Sequence, residues 1–132
     1  MQLSIPYSLN KFERLATSSV QVGDLVIGSD APVGVQSMCN TPTNDVHRSV
    51  AQAIEIIEAG GQLVRYTVRH QEDVEGLRQI RKVLTEKGYR TPLVADIHFN
   101  AQLAIEAAGI VEKVRINPGN FIDKRAKFVD MQ

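Results

Sequence analysis

The chain has 132 residues, 15 Lys and Arg against 15 Asp and Glu, and one Cys, so it has room for about one modest core-forming domain and no internal disulfide. A single Cys also excludes a Cys-rich metal site or an iron–sulfur cluster held by this chain alone. The zero net charge argues against a broad nucleic-acid surface, no apolar run nears the roughly 20 residues that cross a bilayer, and Met1 to Asn10 lacks the apolar core of a signal peptide, so the expected compartment is the cytoplasm.

The first element is a small antiparallel hairpin over about 19–28. Val20 and Val22 alternate with polar residues, Gly23-Asp24 forms the tight turn, and Leu25 to Ile27 is the return strand. Asp30-Ala31-Pro32 breaks the pattern, and a β-like run follows from Val33 to Met38. Thr41 to Asp45 supplies loop and N-cap chemistry. Val46, Val50, Ile54 and Ile57 then make one apolar stripe, which predicts a helix from about Asp45 to Ala59, stopped at Gly60-Gly61.

The cycle repeats. Leu63 to Val68 reads as a strand, and Gln71 to Lys87 as a helix with Val74, Leu77, Ile80 and Leu84 on one face and Gly88 at its end. Leu93 to Ile97 is the next strand. Asn100 caps a short helix through Leu103, Ala104, Ala107 and Ala108, ended by Gly109. Lys113 to Asn117 is a further strand, followed by the loop Pro118-Gly119-Asn120. The tail from Phe121 to Gln132 is amphipathic, as the start of another helix would be.

This β-α-β-α-β-α-β order argues for an α/β fold with parallel strands and helices packed outside. A complete (β/α)8 TIM barrel needs roughly 250 residues. The chain is therefore either a small open sheet or about four βα units of a barrel. Residues 1–32 would form an N-terminal segment carrying the hairpin, and 33–132 the partial barrel, with strands near 33–38, 63–68, 93–97 and 113–117.

Each strand stays mostly apolar until its C-terminal end, where polar groups fall at alternate positions: Gln36 and Met38, Arg65 and Thr67, Asp96 and His98, Arg115 and Asn117. Period-two spacing puts each pair on one face. In a parallel barrel the C-terminal strand ends share one rim, and that rim is where active sites sit. Arg65 and Arg115 offer planar forks for phosphate or carboxylate oxygens. Asn117 and Asn120 donate and accept without charge, and the Pro118-Gly119-Asn120 turn lets backbone N–H groups approach an anion. Asp96 could orient an Arg, accept from a substrate hydroxyl or ligate a metal, and His98 could move a proton. Asp96 and His98 are the catalytic candidates, and the whole set suits a small phosphorylated substrate.

Bland readings stand beside these. A strand Arg is often an edge salt bridge, Asp-x-His can be a structural pair, and Arg-x-Asn can simply neutralise a neighbouring Asp. Cys39, a lone loop cysteine, is expected to be inert, and His47 and His70 are expected in solvent. Neither Gly-x-Gly-x-x-Gly nor a P-loop occurs. Asp96-x-His98 lacks an obvious third metal ligand.

Val35-Gln36-Ser37-Met38, Leu63-Val64-Arg65, Ala95-Asp96-Ile97-His98-Phe99 and Arg115-Ile116-Asn117-Pro118-Gly119-Asn120 occur in that order at successive strand ends. From about Tyr7 onward the chain closely resembles the N-terminal part of the 4-hydroxy-3-methylbut-2-enyl diphosphate synthase family, iron–sulfur enzymes of the methylerythritol phosphate route to isoprenoids. The resemblance implies reductive opening of 2-C-methyl-D-erythritol 2,4-cyclodiphosphate, with a [4Fe–4S] cluster and ferredoxin or flavodoxin as electron donor. It implies that Arg65, Arg115, Asn117 and His98 meet diphosphate or hydroxyl oxygens. Asp96 would organise the rim, Gln36 and Met38 would line the mouth, and the hairpin would close the barrel floor.

The family's cluster ligands, three Cys and one Glu of a C-terminal domain, have no counterpart here, so this stretch by itself is expected to be inactive and to bind no cluster. Val68-Arg69-His70 departs from the family pattern, and Lys124 to Phe128 looks like the longer family members. Two other readings stay open: a different phosphate- or pterin-binding barrel enzyme, and a non-catalytic α/β module that self-associates through open sheet edges. A homodimer is the expected assembly.

Overall fold

The computed structural model describes residues 14–119. The elements run β1 (Val20–Val22), β2 (Leu25–Ile27), β3 (Gln36–Met38), α1 (Val46–Glu58), β4 (Leu63–Val68), α2 (Gln71–Glu86), β5 (Leu93–Ile97), α3 (Ala101–Ala108) and β6 (Lys113–Ile116). β1 and β2 pair antiparallel, and the other strands form one sheet in the order β3-β4-β5-β6, parallel throughout. The expected βα cycle and the hairpin are both present. The tail 121–132 and Asn120 lie outside the described residues.

Parallel pairing keeps partnered residues on the same face, so the registers sort the strands into two surfaces. One carries Val64, Tyr66 and Val68 of β4 and Leu93, Ala95 and Ile97 of β5, all buried under the helices. Their helix partners are Val50 and Ala53 of α1, Val74, Leu77, Ile80 and Leu84 of α2, and Leu103 and Ala107 of α3. The apolar stripes read from the sequence are these contacts. The opposite surface, which would face inward in a barrel, carries Leu63, Arg65 and Thr67, then Val94 and Asp96, then Lys113 and Arg115. At its lower end Leu63 and Val94 are buried against Val22, with Leu25 and Ile27 packed beside them. The hairpin thus seals the floor of the inward face.

Local chemistry sets the element ends. The Asp45 side chain accepts from the backbone N–H of Arg48 at 3.2 Å, and Asn100 accepts from Gln102 at 2.9 Å, so both predicted caps act as N-caps. Gly60 and Gly88 follow α1 and α2 at φ of 102° and 87°, a region glycine enters without steric cost. Two predicted boundaries shift. β3 begins at Gln36 rather than Val33, because the Val35 carbonyl accepts from both Gln62 and Leu63 and its N–H is taken by the Gln62 side chain. β6 ends at Ile116 rather than Asn117, because the Asn117 side chain accepts from the Gly119 N–H at 3.0 Å and turns the chain.

The loop from β3 to α1 is pinned hard. Thr43 is buried and donates to the Thr67 carbonyl at 2.6 Å. Ser49 donates to the Pro42 carbonyl, and the Tyr66 hydroxyl donates to the Ser49 carbonyl. Mid-helix Gly76 lets α2 lie flush on this loop: a Cβ there would stand 2.4 Å from the Thr43 carbonyl oxygen. The β3–α1 loop is therefore held against the C-terminal end of β4.

Candidate functional site

The inward face changes character one pleat above its floor. In register, Met38 lies beside Arg65, Thr67 beside Asp96, and Asp96 beside Arg115. The Asp96 carboxylate sits between the two guanidinium groups. Arg65 donates from Nε to Oδ2 at 3.1 Å and from Nη2 to the same oxygen, while Arg115 donates from Nη1 to Oδ1 at 3.0 Å. The Nε2 of His98 stands 3.5 Å from Oδ2, beyond a strong hydrogen bond but inside ion-pair range. Asp96, His98, Arg65 and Arg115 thus form one cluster, drawn from three strands.

Its electrostatics follow from who is covered. Asp96 has a side chain only 3% exposed, whereas Arg65 is 23% and Arg115 38% exposed. Burial pushes the Asp96 carboxyl up, but the hydrogen bonds and charges of Arg65 and Arg115 outweigh it and hold it below the ordinary Asp range. The carboxylate is ionised, so the two arginines and one aspartate leave one net positive charge on the inward face. Arg65 spends Nε and Nη2 on Asp96. Arg115 spends only Nη1, so its Nε and Nη2 are not used on the carboxylate.

The other predicted site residues spread out. Met38 is exposed beside Arg65 at cluster height. Gln36 lies one pleat lower, beside floor residue Leu63, and borders a cavity of about 440 Å³ with Lys113. It does not join the cluster, because period-two spacing preserves the face but not the height. Asn117 is half-buried at the end of β6 with its side chain engaged by Gly119. Asn120 lies outside the described residues.

The sequence does not single out Lys113 or Phe99, and it names Thr67 only as the alternate neighbour of Arg65. Thr67 belongs to the inward face and pairs with Asp96, and only its alternation with Arg65 signalled this. Lys113 faces inward two residues before Arg115, a parity the same counting would have given. Phe99, directly after His98, has a φ of 65°, a left-handed backbone that a bulky residue adopts at a cost. The residue is 60% exposed, and its ring centroid stands 5.9 Å from that of His98. Nothing in the sequence marks that conformation. Cys39 is buried against Tyr66, and burial drives its thiol up to about 11, offset in part by the Tyr66 contact. It is a packed thiol, unsuited to nucleophilic work at neutral pH.

A parallel α/β sheet with helices on one face, a plugged floor and a cationic cluster toward the strand C-termini is the arrangement of a partial (β/α) barrel. The chain belongs to the GcpE TIM-barrel domain family, whose model matches residues 17–131. It is 50% identical over 121 residues to the 4-hydroxy-3-methylbut-2-en-1-yl diphosphate synthase (flavodoxin) of Parabacteroides distasonis, covering 92% of this chain and 20% of that protein. The same-named protein of Leptospira interrogans is 47% identical over 114 residues, 86% of this chain and 17% of the relative. The chloroplastic ferredoxin form from Oryza sativa is 38% identical over 125 residues, 95% and 17% of the two chains. The chain therefore spans about a fifth of the length of these relatives. Among the described residues no helix is long and apolar enough to cross a membrane.

Proposed function

We propose that this chain is the substrate-holding barrel segment of an enzyme that reductively opens 2-C-methyl-D-erythritol 2,4-cyclodiphosphate to 4-hydroxy-3-methylbut-2-enyl diphosphate. The supporting observation is the Arg65–Asp96–Arg115 cluster on the inward face, with His98 beside it. The names of the relatives print the product, 4-hydroxy-3-methylbut-2-en-1-yl diphosphate, and the donor, flavodoxin or ferredoxin; the cyclic diphosphate substrate is part of the proposal. In that reaction two electrons from the reduced donor and one proton enter. One carbon–oxygen bond to the diphosphate breaks, one hydroxyl leaves as water and a carbon–carbon double bond forms. The freed phosphate oxygen carries the added negative charge.

A [4Fe–4S] cluster would supply the electron relay. This chain does not fit its ligation: the one cysteine is buried, its thiol is pushed to about 11, and the sequence holds no second. The work of these residues is binding and orientation. Arg115 is the diphosphate ligand, because two of its donor nitrogens are not used on Asp96 and it is the more exposed of the pair. Arg65 is the anchor that holds the carboxylate, and Asp96 in turn aims Arg115. His98, beside Asp96, would donate to the same ligand, and Asn117 would close the rim from the β6 end; Asn120 remains a candidate from the sequence alone. Met38 lines the mouth, with Gln36 below it.

Calorimetric titration of the whole protein with the cyclic diphosphate tests this. Arg115→Gln should weaken binding roughly ten-fold or more, the worth of one charged hydrogen bond. Unchanged affinity in that variant, or absence of binding by the parent protein, would overturn the reading. The second part of the proposal is a homodimer. The β3 edge has no partner strand on its outer side among the described residues, and Val33 and Val35, just before the strand, are exposed. Light scattering that returned a monomer at high concentration would exclude this assembly.

A further inference from the structure

We propose that a cavity beside the cluster, between the β3–α1 loop and the start of α2, is a second anion subsite that takes a phosphate-class oxyanion. The cavity measures about 390 Å³, and its walls include Asn40, Thr43, Thr67, Arg69, His70 and Asp73. At about 30 Å³ per water this is room for a phosphate group and part of its shell. It opens beside the inward face, because Thr67 stands in register with Asp96.

The donors outnumber the acceptors. Arg69 is exposed and makes no ion pair among the described residues. The Asn40 side-chain oxygen accepts from the Gln52 amide at 2.9 Å, so what Asn40 has left to offer a ligand is its NH2 group. The Thr67 hydroxyl has no hydrogen-bond partner among the described residues, whereas Thr43 spends its own on the Thr67 carbonyl. His70 adds a ring nitrogen. The one carboxylate in the wall, Asp73, faces the backbone, where its Oδ2 accepts from the Arg69 N–H at 2.9 Å and the His70 N–H at 3.1 Å. A cavity lined by a guanidinium, an amide and a hydroxyl, with one oxygen of its only acid held by two backbone N–H groups, suits a ligand rich in acceptors that pairs with Arg69.

The wall is also rigid. Thr43 is tied to β4, Ser49 to Pro42, and Gly76 lets α2 press on the Thr43 carbonyl. The loop wall is therefore held before a ligand arrives, and only the Arg69 side chain has to be ordered on binding. The oxyanion is either a phosphate of a molecule that also reaches Arg115 or a free phosphate. The inference rests on the cavity alone and not on the identity of the rim's substrate.

The test is local protection of arginines in the whole protein. Phenylglyoxal labels accessible guanidinium groups, and peptide mapping reads each arginine separately. With inorganic phosphate present, labelling of Arg69 should slow several-fold, while Arg48, exposed on α1, should label at its original rate. If the cyclic diphosphate slows Arg69 and Arg115 together, one ligand spans both sites. If inorganic phosphate protects Arg69 and the cyclic diphosphate protects Arg115 alone, the subsite takes free phosphate. Arg69→Gln should weaken calorimetric phosphate binding roughly ten-fold. Arg69 labelling unaffected by both anions, or phosphate affinity unchanged in Arg69→Gln, overturns the proposal. Protection of Arg69 by phosphate with no response of Arg115 to the cyclic diphosphate would refute the substrate reading and leave this one standing.

Discussion

Replacing Asp96 by asparagine tests the cluster most directly. The substitution keeps shape and one acceptor oxygen but removes the charge that two guanidinium groups share. Arg65 loses a charged partner in a site where it is 23% exposed, a loss of roughly 1.5–3 kcal/mol for a charge-assisted hydrogen bond. Arg115 is 38% exposed, so solvent screens its share to at most about 1 kcal/mol. The neutral amide sheds the burial penalty of a carboxylate, which offsets part of the loss, and a net destabilisation of about 2 kcal/mol is expected. The pH dependence carries the sharper signature. Because the folded carboxyl titrates below its ordinary range, its stabilisation is fully present above the unfolded value of about 3.9 and fades as pH falls through the lower folded value. Denaturant unfolding of parent and Asp96→Asn between pH 7 and pH 2.5 should show a constant gap down to about pH 5 that closes in acid. A gap that stays the same at the acid end, or no gap at neutral pH, would refute the assignment of Asp96 as the charged hub.

Three further outcomes are expected. Gly76→Ala should lower the unfolding free energy by about 1–3 kcal/mol despite the better helix propensity of Ala, because the new methyl would stand 2.4 Å from the Thr43 carbonyl oxygen; an unchanged or raised urea midpoint would contradict the close approach. Phe99→Gly should be more stable than Phe99→Ala by about 1 kcal/mol, since both lose the exposed ring but only glycine sits at a φ of 65° without penalty; equal urea midpoints would count against the left-handed backbone. Cys39 should react slowly with iodoacetamide at pH 8 in the native protein and quickly after unfolding, because burial and its raised thiol both withhold the thiolate; equal rates in the two states would remove the buried assignment.

Much of the fold was legible because it depends on short-range periodicity. Val74, Leu77, Ile80 and Leu84 lie on one helical face whatever surrounds them, and all are buried in the core. Asp45, Asn100, Gly60 and Gly88 mark helix ends through their own backbone chemistry. What stayed hidden depends on other parts of the chain. The start of β3 is set by the Gln62 side chain, 27 residues on from Val35. The burial of Cys39 needs Tyr66 and α1 packed over it, so a loop position gave no warning. The site was half legible. Alternation put Arg65, Asp96, His98 and Arg115 on one face, but the distances among them come from the registers of β4, β5 and β6, which alternation does not set. Gln36 shows the same limit from the other side: right face, wrong height.

The two faces of the sheet answer to different demands. On the helix side Val64, Tyr66 and Val68 and then Leu93, Ala95 and Ile97 are buried at full height, because that side has only to pack. On the inward side the change from Leu63 and Val94 to Arg65 and Asp96 occurs within one pleat, immediately above the hairpin that buries the lower pair. The hairpin thus removes water from the floor without covering the charges above it. A carboxylate in that position would be costly alone, and Arg65 makes it tolerable by giving two donors to one oxygen. Once Arg65 has satisfied Oδ2, Asp96 has Oδ1 left to orient Arg115 by a single bond. The inward face therefore keeps one guanidinium locked and the other aimed, with Nε and Nη2 of Arg115 not used on the carboxylate.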